Sequence, residues 1–162
     1  MKFQTIIAAI NLEDDLARGV LATAIALAKR DDAKLWVVDV WMPLRYAMAT
    51  GISDPLGATA MIPSAADLEA DNEARLMQEK ELQALCTEMD ADAKALMLEG
   101  EPGKAIAQFA REKNADLIVV GTHQKGAWKA LFSGAPSRDI VRDAPCAILL
   151  VPKAMIERTA KP

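Results

Sequence analysis

The run Leu117-Ile-Val-Val120 is uninterrupted apolar chain, rich in β-branched residues, and it stops at Gly121. A strand apolar on both faces needs cover on both sides, which is how strands of a parallel sheet between helical layers read. Beyond Gly121 lies a polar loop with a second glycine, Gly126, and Gly134-Ala-Pro-Ser137 then reads as the opening of a short helix. Strand, glycine loop and helix mouth are the parts from which α/β proteins build phosphate cradles. Glycine lets backbone approach the anion, and the helix start aims N–H groups at it.

The rest of the chain repeats the alternation of strand and helix. Phe3 to Ile10 reads as a first strand ending at Asn11. Glu13, Asp14 and Asp15 follow, suited to the positive end of a helix whose stripe is Leu16, Val20, Ala24 and Leu27. Lys34–Trp41 is a second strand; Asp39 inside it is placed at an edge or strand end and given no catalytic role. Residues 42–66 show no periodicity and are punctuated by Pro43, Gly51, Pro55, Gly57 and Pro63, with Arg45 and Asp54 as the only charges. A connection of that length reads as a lid, a binding loop or a disordered insertion. Its methionines and Tyr46 suggest that it lies on apolar surface of the domain or a partner.

A long helix is expected over Asp67–Met89, its many charges forming a solvated face. A third strand follows over Ala93–Glu99. Pro102 opens a helix that ends at Asn114, and a short helix is expected from Pro136 to Arg142. Cys146–Val151 is the fifth strand, and residues 153–162 read as a frayed polar tail. Strands alternating with helices imply one domain over residues 1–152, α/β in class, with a mainly parallel sheet and right-handed crossovers.

Composition narrows the function. A net charge of -4 and a pI near 5.1 argue against nucleic-acid binding by phosphate neutralisation. Cys86 and Cys146 stand sixty positions apart with no CxxC or metal-ligand spacing, and read as buried thiols of a reducing compartment. The N-terminus enters a strand without a signal-peptide pattern, and no apolar segment reaches membrane-spanning length. The expectation is a cytoplasmic protein without membrane insertion.

Four stretches taken in order carry a resemblance: Thr5-Ile-Ile-Ala-Ala-Ile-Asn11, Glu99-Gly-Glu-Pro-Gly-Lys-Ala-Ile106, Ala115-Asp-Leu-Ile-Val-Val-Gly-Thr-His123 and Ala144-Pro-Cys-Ala-Ile-Leu-Leu-Val-Pro152. With these the chain resembles the universal stress protein family along residues 3 to 152. The resemblance implies a five-stranded sheet in the order 3-2-1-4-5, Rossmann-like and of the adenine nucleotide alpha hydrolase-like kind. It also implies a dimer through the fifth strand and a role in stress survival.

Some members bind ATP or a related nucleotide through Gly-x-x-Gly-nine residues-Gly-Ser/Thr after the fourth strand, with an aspartate ending the first. Laid on this sequence, the glycines fall on Gly121, Gln124 and Gly134. The hydroxyl position falls on Ala135, the aspartate on Asn11, the residue near adenine on Val40 and a later phosphate-touching hydroxyl on Ser137. The candidate cofactor-binding set is therefore Asn11, Val40, Gly121, Gly126, Gly134 and Ser137, for ATP or AMP with magnesium.

The motif is degenerate in a physically definite way. Ala135 lacks a hydroxyl, Pro136 lacks an N–H, and Gln124 puts a side chain where backbone would approach phosphate. Each hydrogen bond to a charged group contributes roughly 1.5–3 kcal/mol, so losing two could turn a micromolar site millimolar. Lys125 and Lys129 could recover part of that. His123, the only histidine, has no nucleophile at a recognisable spacing and reads as a loop residue. Trp128, Leu131 and Phe132 read as packing beside the loop.

The expectation is a dimeric, non-enzymatic stress-response module acting through protein partners. The alternative is an ATP- or AMP-binding switch, at most a slow ATPase, using the crevice between strands 1 and 4. Cys146–Val151, apolar and uncharged at a sheet edge, is the expected homodimer contact.

Overall fold

The computed structural model describes residues 1–49, 62–122 and 145–159. Five strands form one parallel sheet in the order β3-β2-β1-β4-β5. They are β1 (Thr5–Ala9), β2 (Lys34–Trp41), β3 (Ala93–Glu99), β4 (Leu117–Gly121) and β5 (Ala147–Val151). The helices are α1 (Ala17–Asp31), α2 (Leu44–Ala49), α3 (Ala65–Glu88), α4 (Pro102–Lys113) and α5 (Lys153–Thr159).

Alternation along the strands sends side chains to two cores. Ile6, Ala8, Leu35, Val37, Leu117 and Val119 face α1 and the last turns of α3, where Val20, Leu21, Ala24, Leu82 and Leu85 meet them. Ile7, Ala9, Val38 and Ile118 face α4 through Ile106, Phe109 and Ala110. The run Leu117–Val120 is thus buried on both faces, as its composition requires. Trp36 closes the second core edge-on against Phe109, with ring centroids 5.4 Å apart.

Two carboxylates sew the amino ends of the strands. Asp116 accepts the N–H groups of Gln4 and Thr5 at 2.7 and 2.8 Å. Asp31, buried at the end of α1, accepts the Phe3 N–H at 3.0 Å and the Arg30 guanidinium at 2.7 and 2.9 Å. Those contacts hold its carboxyl well below the usual carboxylate range. Gly100, just past β3, has φ +119°, a conformation that favours glycine and turns the chain towards α4.

Several boundaries differ from those read in the sequence. β1 begins at Thr5 because the Phe3 N–H is drawn to Asp31. Glu13–Asp15 precede α1 and do not fill its first turn; Asp14 Oδ1 accepts the Leu16 N–H at 2.9 Å. The stretch read as a loop or insertion over 42–66 contains α2, and α3 starts at Ala65, inside it. There the Ser64 side chain accepts the Asp67 N–H while Asp67 accepts the Ser64 N–H, a capping box. Residues 153–159, expected to fray, form α5. Met155 and Ile156 pack on the core, and Lys153 pairs with Asp15 at 2.9 Å. The helix expected over 136–142 lies outside the described residues.

Candidate functional site

β2 lies on one side of β1 and β4 on the other, so the winding of the sheet reverses between β1 and β4. Crossovers leave such a point in opposite directions, and a crevice opens at the carboxyl ends of the two strands. The paired ladder ends at Ala9 opposite Val120. Asn11 and Gly121 therefore flank the crevice, and Val40 stands near the end of the neighbouring β2.

The loop between β1 and α1 is tightly bonded. Asn11 Oδ1 accepts the Glu13 N–H at 3.0 Å, and the Asn11 carbonyl accepts that of Asp14 at 3.0 Å. This is an Asx turn, and it orients the Asn11 amide, since only its oxygen can accept from a backbone N–H. Leu12 N–H goes to Asp39, Leu16 N–H to Asp14 Oδ1, and Ala17 N–H to the Asp14 carbonyl. These donors are spent within the loop, and Glu13, Asp14 and Asp15, the last paired with Lys153, crowd the same turn. Behind it, a recess of about 390 Å³ between α1 and α3 adds Glu81 and Glu88, the latter paired with Arg18 at 2.6 Å.

Gly121 serves packing as well as access. A Cβ there would lie 3.2 Å from Val20 Cγ2 and 3.5 Å from Leu16 Cβ, so its smallness lets α1 sit close on β4. Thr122, next in the chain, donates its N–H to the Val151 carbonyl at 3.1 Å and ties the start of the loop to β5. Val40 is partly buried against the α4 core. The structure thus brings Asn11, Val40 and Gly121 to one end of the sheet. Gly126, Gly134 and Ser137 lie outside the described residues, as do Gln124, Ala135, Pro136 and His123.

Asp39 is the residue that sequence reasoning passed over. It lies on an inner strand, 7% exposed, and accepts the N–H groups of Val40 at 2.7 Å and Leu12 at 3.1 Å. Burial pushes its carboxyl up; the two N–H bonds oppose this, and Glu13 adds to it. A charged residue within an apolar strand was itself a signal, because burying such a group is costly unless hydrogen bonds compensate it.

The two cysteines are poor nucleophiles near neutral pH. Of the two thiols read as buried, Cys86 is buried and Cys146 only half-buried; even so, desolvation pushes the Cys146 thiol up to about 11, with Asp116 adding to it, and burial raises Cys86 as well, so both are protonated near neutrality. Among the described residues no group of His, Cys, Asp and Glu is arranged to hold a metal ion. No described helix is long and apolar enough to cross a membrane.

A doubly wound parallel sheet with its winding reversed between β1 and β4 defines a Rossmann-like α/β domain. Within that class, the chain belongs to the universal stress protein family, whose model matches residues 2–152. A universal stress protein of Thermus aquaticus is 34% identical over 151 residues, covering 92% of this chain and 98% of that one. Among solved structures, a family member from Burkholderia pseudomallei has a TM-score of 0.59 at 23% identity, covering 92% of this chain and 96% of the other. A universal stress protein in complex with cAMP has a TM-score of 0.58 at 18% identity, covering 93% and 98%. At these identities the structural likeness shows the fold.

Proposed function

We propose that this chain is a dimeric, non-enzymatic stress-response module of the cytoplasm, acting through protein partners, with β5 as its self-association surface. The observation that carries the reading is the position of β5 at the end of the sheet order, uncharged and with Leu150 43% exposed. An edge strand of this kind invites pairing, and a second copy offering the same strand would cover both edges at once. Ile148 and Leu150 are the residues to change. Sedimentation of the unchanged protein at micromolar concentration is expected to give a dimer, and Ile148→Lys with Leu150→Lys a monomer or aggregate. An unchanged dimer in the double variant would refute the strand-edge contact.

A second reading is an adenine-nucleotide switch using Asn11, Val40, Gly121, Gly126, Gly134 and Ser137. It is supported by the crevice at the winding reversal and by a relative of the same fold that holds cAMP. The donors spent in the β1–α1 loop, together with the substitutions at 124, 135 and 136, favour weak binding and little ATPase activity. Titration with ATP and AMP, with and without magnesium, followed by thermal stability, tests it. A nucleotide-dependent rise in melting temperature that disappears on Gly134→Leu supports the reading; a flat response at millimolar nucleotide defeats it.

A further inference from the structure

Asp39 occupies no position of the nucleotide pattern, yet it bonds backbone next to one candidate residue and the N–H of another. It points to the same sheet face as Leu35 and Val37, whose side chains belong to the core under α1 and α3. Its burial comes without a cation: none of the ion pairs among the described residues includes it. Such a group is tolerated only where hydrogen bonds replace lost water. The two it accepts come from Leu12, the residue after Asn11, and from Val40.

The place of these bonds matters. The β1–β2 ladder ends at Ala9 opposite Val38, with the Ile10 N–H to the Val38 carbonyl at 2.9 Å just beyond. Past that point the chain leaves the sheet and turns through the Asn11 Asx turn into α1. Asp39 carries the connection one step further, tying the departing loop to the end of β2.

We propose that Asp39 is a positioning residue of the crevice. By accepting the Leu12 and Val40 N–H groups together, its carboxylate holds Asn11 and Val40 at one fixed spacing. It touches no ligand and acts through the backbone of the two residues that would. The inference rests on the nucleotide reading of the crevice for its ligand, and on the bonding of Asp39 for its mechanism.

The test compares Asp39→Asn with Asp31→Asn. Both remove a buried carboxylate that accepts a backbone N–H, but Asp31 lies at the opposite ends of the strands. Amide hydrogen exchange is followed at Leu12 and Val40, and AMP affinity by calorimetry. For Asp39→Asn, Leu12 exchange is expected to accelerate about tenfold or more and the AMP Kd to rise about tenfold, the effect of one charged hydrogen bond. Asp31→Asn is expected to lower the melting temperature while leaving both readouts within about twofold. Should Asp39→Asn fail to fold, Asp39→Glu keeps the charge but displaces the loop, and AMP affinity is expected to fall there too.

Unchanged AMP affinity in a folded Asp39 variant, or an equal loss in Asp31→Asn, would overturn the proposal. If the unchanged protein binds no AMP, the nucleotide reading fails instead. The bracing is then decided by Leu12 exchange alone, and equal exchange in Asp39→Asn and the unchanged protein overturns it.

Discussion

Ile156 of α5 fills the notch that Gly19 leaves on α1: a Cβ at position 19 would overlap its Cγ1, Cγ2 and Cδ1 atoms. The contact joins the end of the chain to the helix that lines the crevice loop. Replacing Gly19 by Leu forces α5 away and is expected to cost about 1–3 kcal/mol by overpacking. Most of that loss should vanish in an Ile156→Ala background. Urea unfolding of the four proteins of the cycle checks it, and additive effects would count against direct contact.

Asp31 and Asp39 give opposite pH slopes. The Asp31 carboxyl is held low by Arg30, so the stability it provides is complete above the ordinary carboxylate value of about 4 and drains away as pH falls below it. Burial holds the Asp39 carboxyl high, so the folded state binds its proton more readily than the unfolded chain, and stability is lost as pH rises through the folded value. Asp31→Asn should therefore flatten the acid limb of a stability–pH curve. Asp39→Asn should remove a loss above it. Denaturant midpoints between pH 3 and 8 would show the two differences with opposite sign; the same sign for both would be inconsistent with these environments.

The two thiols are expected to resist modification while the protein is folded. Cys146 is pushed up to about 11 and Cys86 is raised by burial, so little thiolate exists at pH 8. Alkylation there should be at least about tenfold slower than in denaturant, because only the thiolate reacts. Rapid labelling of Cys86 in the native protein would contradict its burial, and rapid labelling of the half-buried Cys146 would contradict its raised thiol.

The capping box at Ser64 is worth measuring separately. Ser64→Ala removes the acceptor of the Asp67 N–H at 3.2 Å and is expected to cost about 1 kcal/mol, felt mainly as faster exchange in the first turn of α3. Equal exchange in the variant would mean that the cap contributes nothing there.

Much of the architecture was legible because the relevant signals are local. Lys34–Trp41 and Ala93–Glu99 match their observed strands, and Pro102 and Asn114 mark the ends of α4, the second as a left-handed cap. Signals read too lightly explain the differences. Ser64-x-x-Asp67 is a helix start hidden in a segment judged by its prolines and glycines. The apolar pair Met155 and Ile156 follows Pro152 in a tail judged by its charges. The partner of Asp39 was illegible for another reason. The role of Asp39 depends on a backbone N–H from Leu12, 27 positions away, and no spacing in the sequence reports such a contact. Asn11, Val40 and Gly121 do gather at one end of the sheet, but the packing function of Gly121 against Val20 and Leu16 needed the fold to be seen.

The proposed pairing of β5 edges is tested most directly by amide hydrogen exchange along Ala147–Val151. In a parallel ladder, alternate N–H groups of an edge strand point to its neighbour, here β4, and the others point outward. Mated edges should protect the outward amides as strongly as the inward ones, with protection lost on Ile148→Lys with Leu150→Lys. Outward amides of the unchanged protein that exchange as fast as those of an open edge, at concentrations well above micromolar, would contradict the dimer.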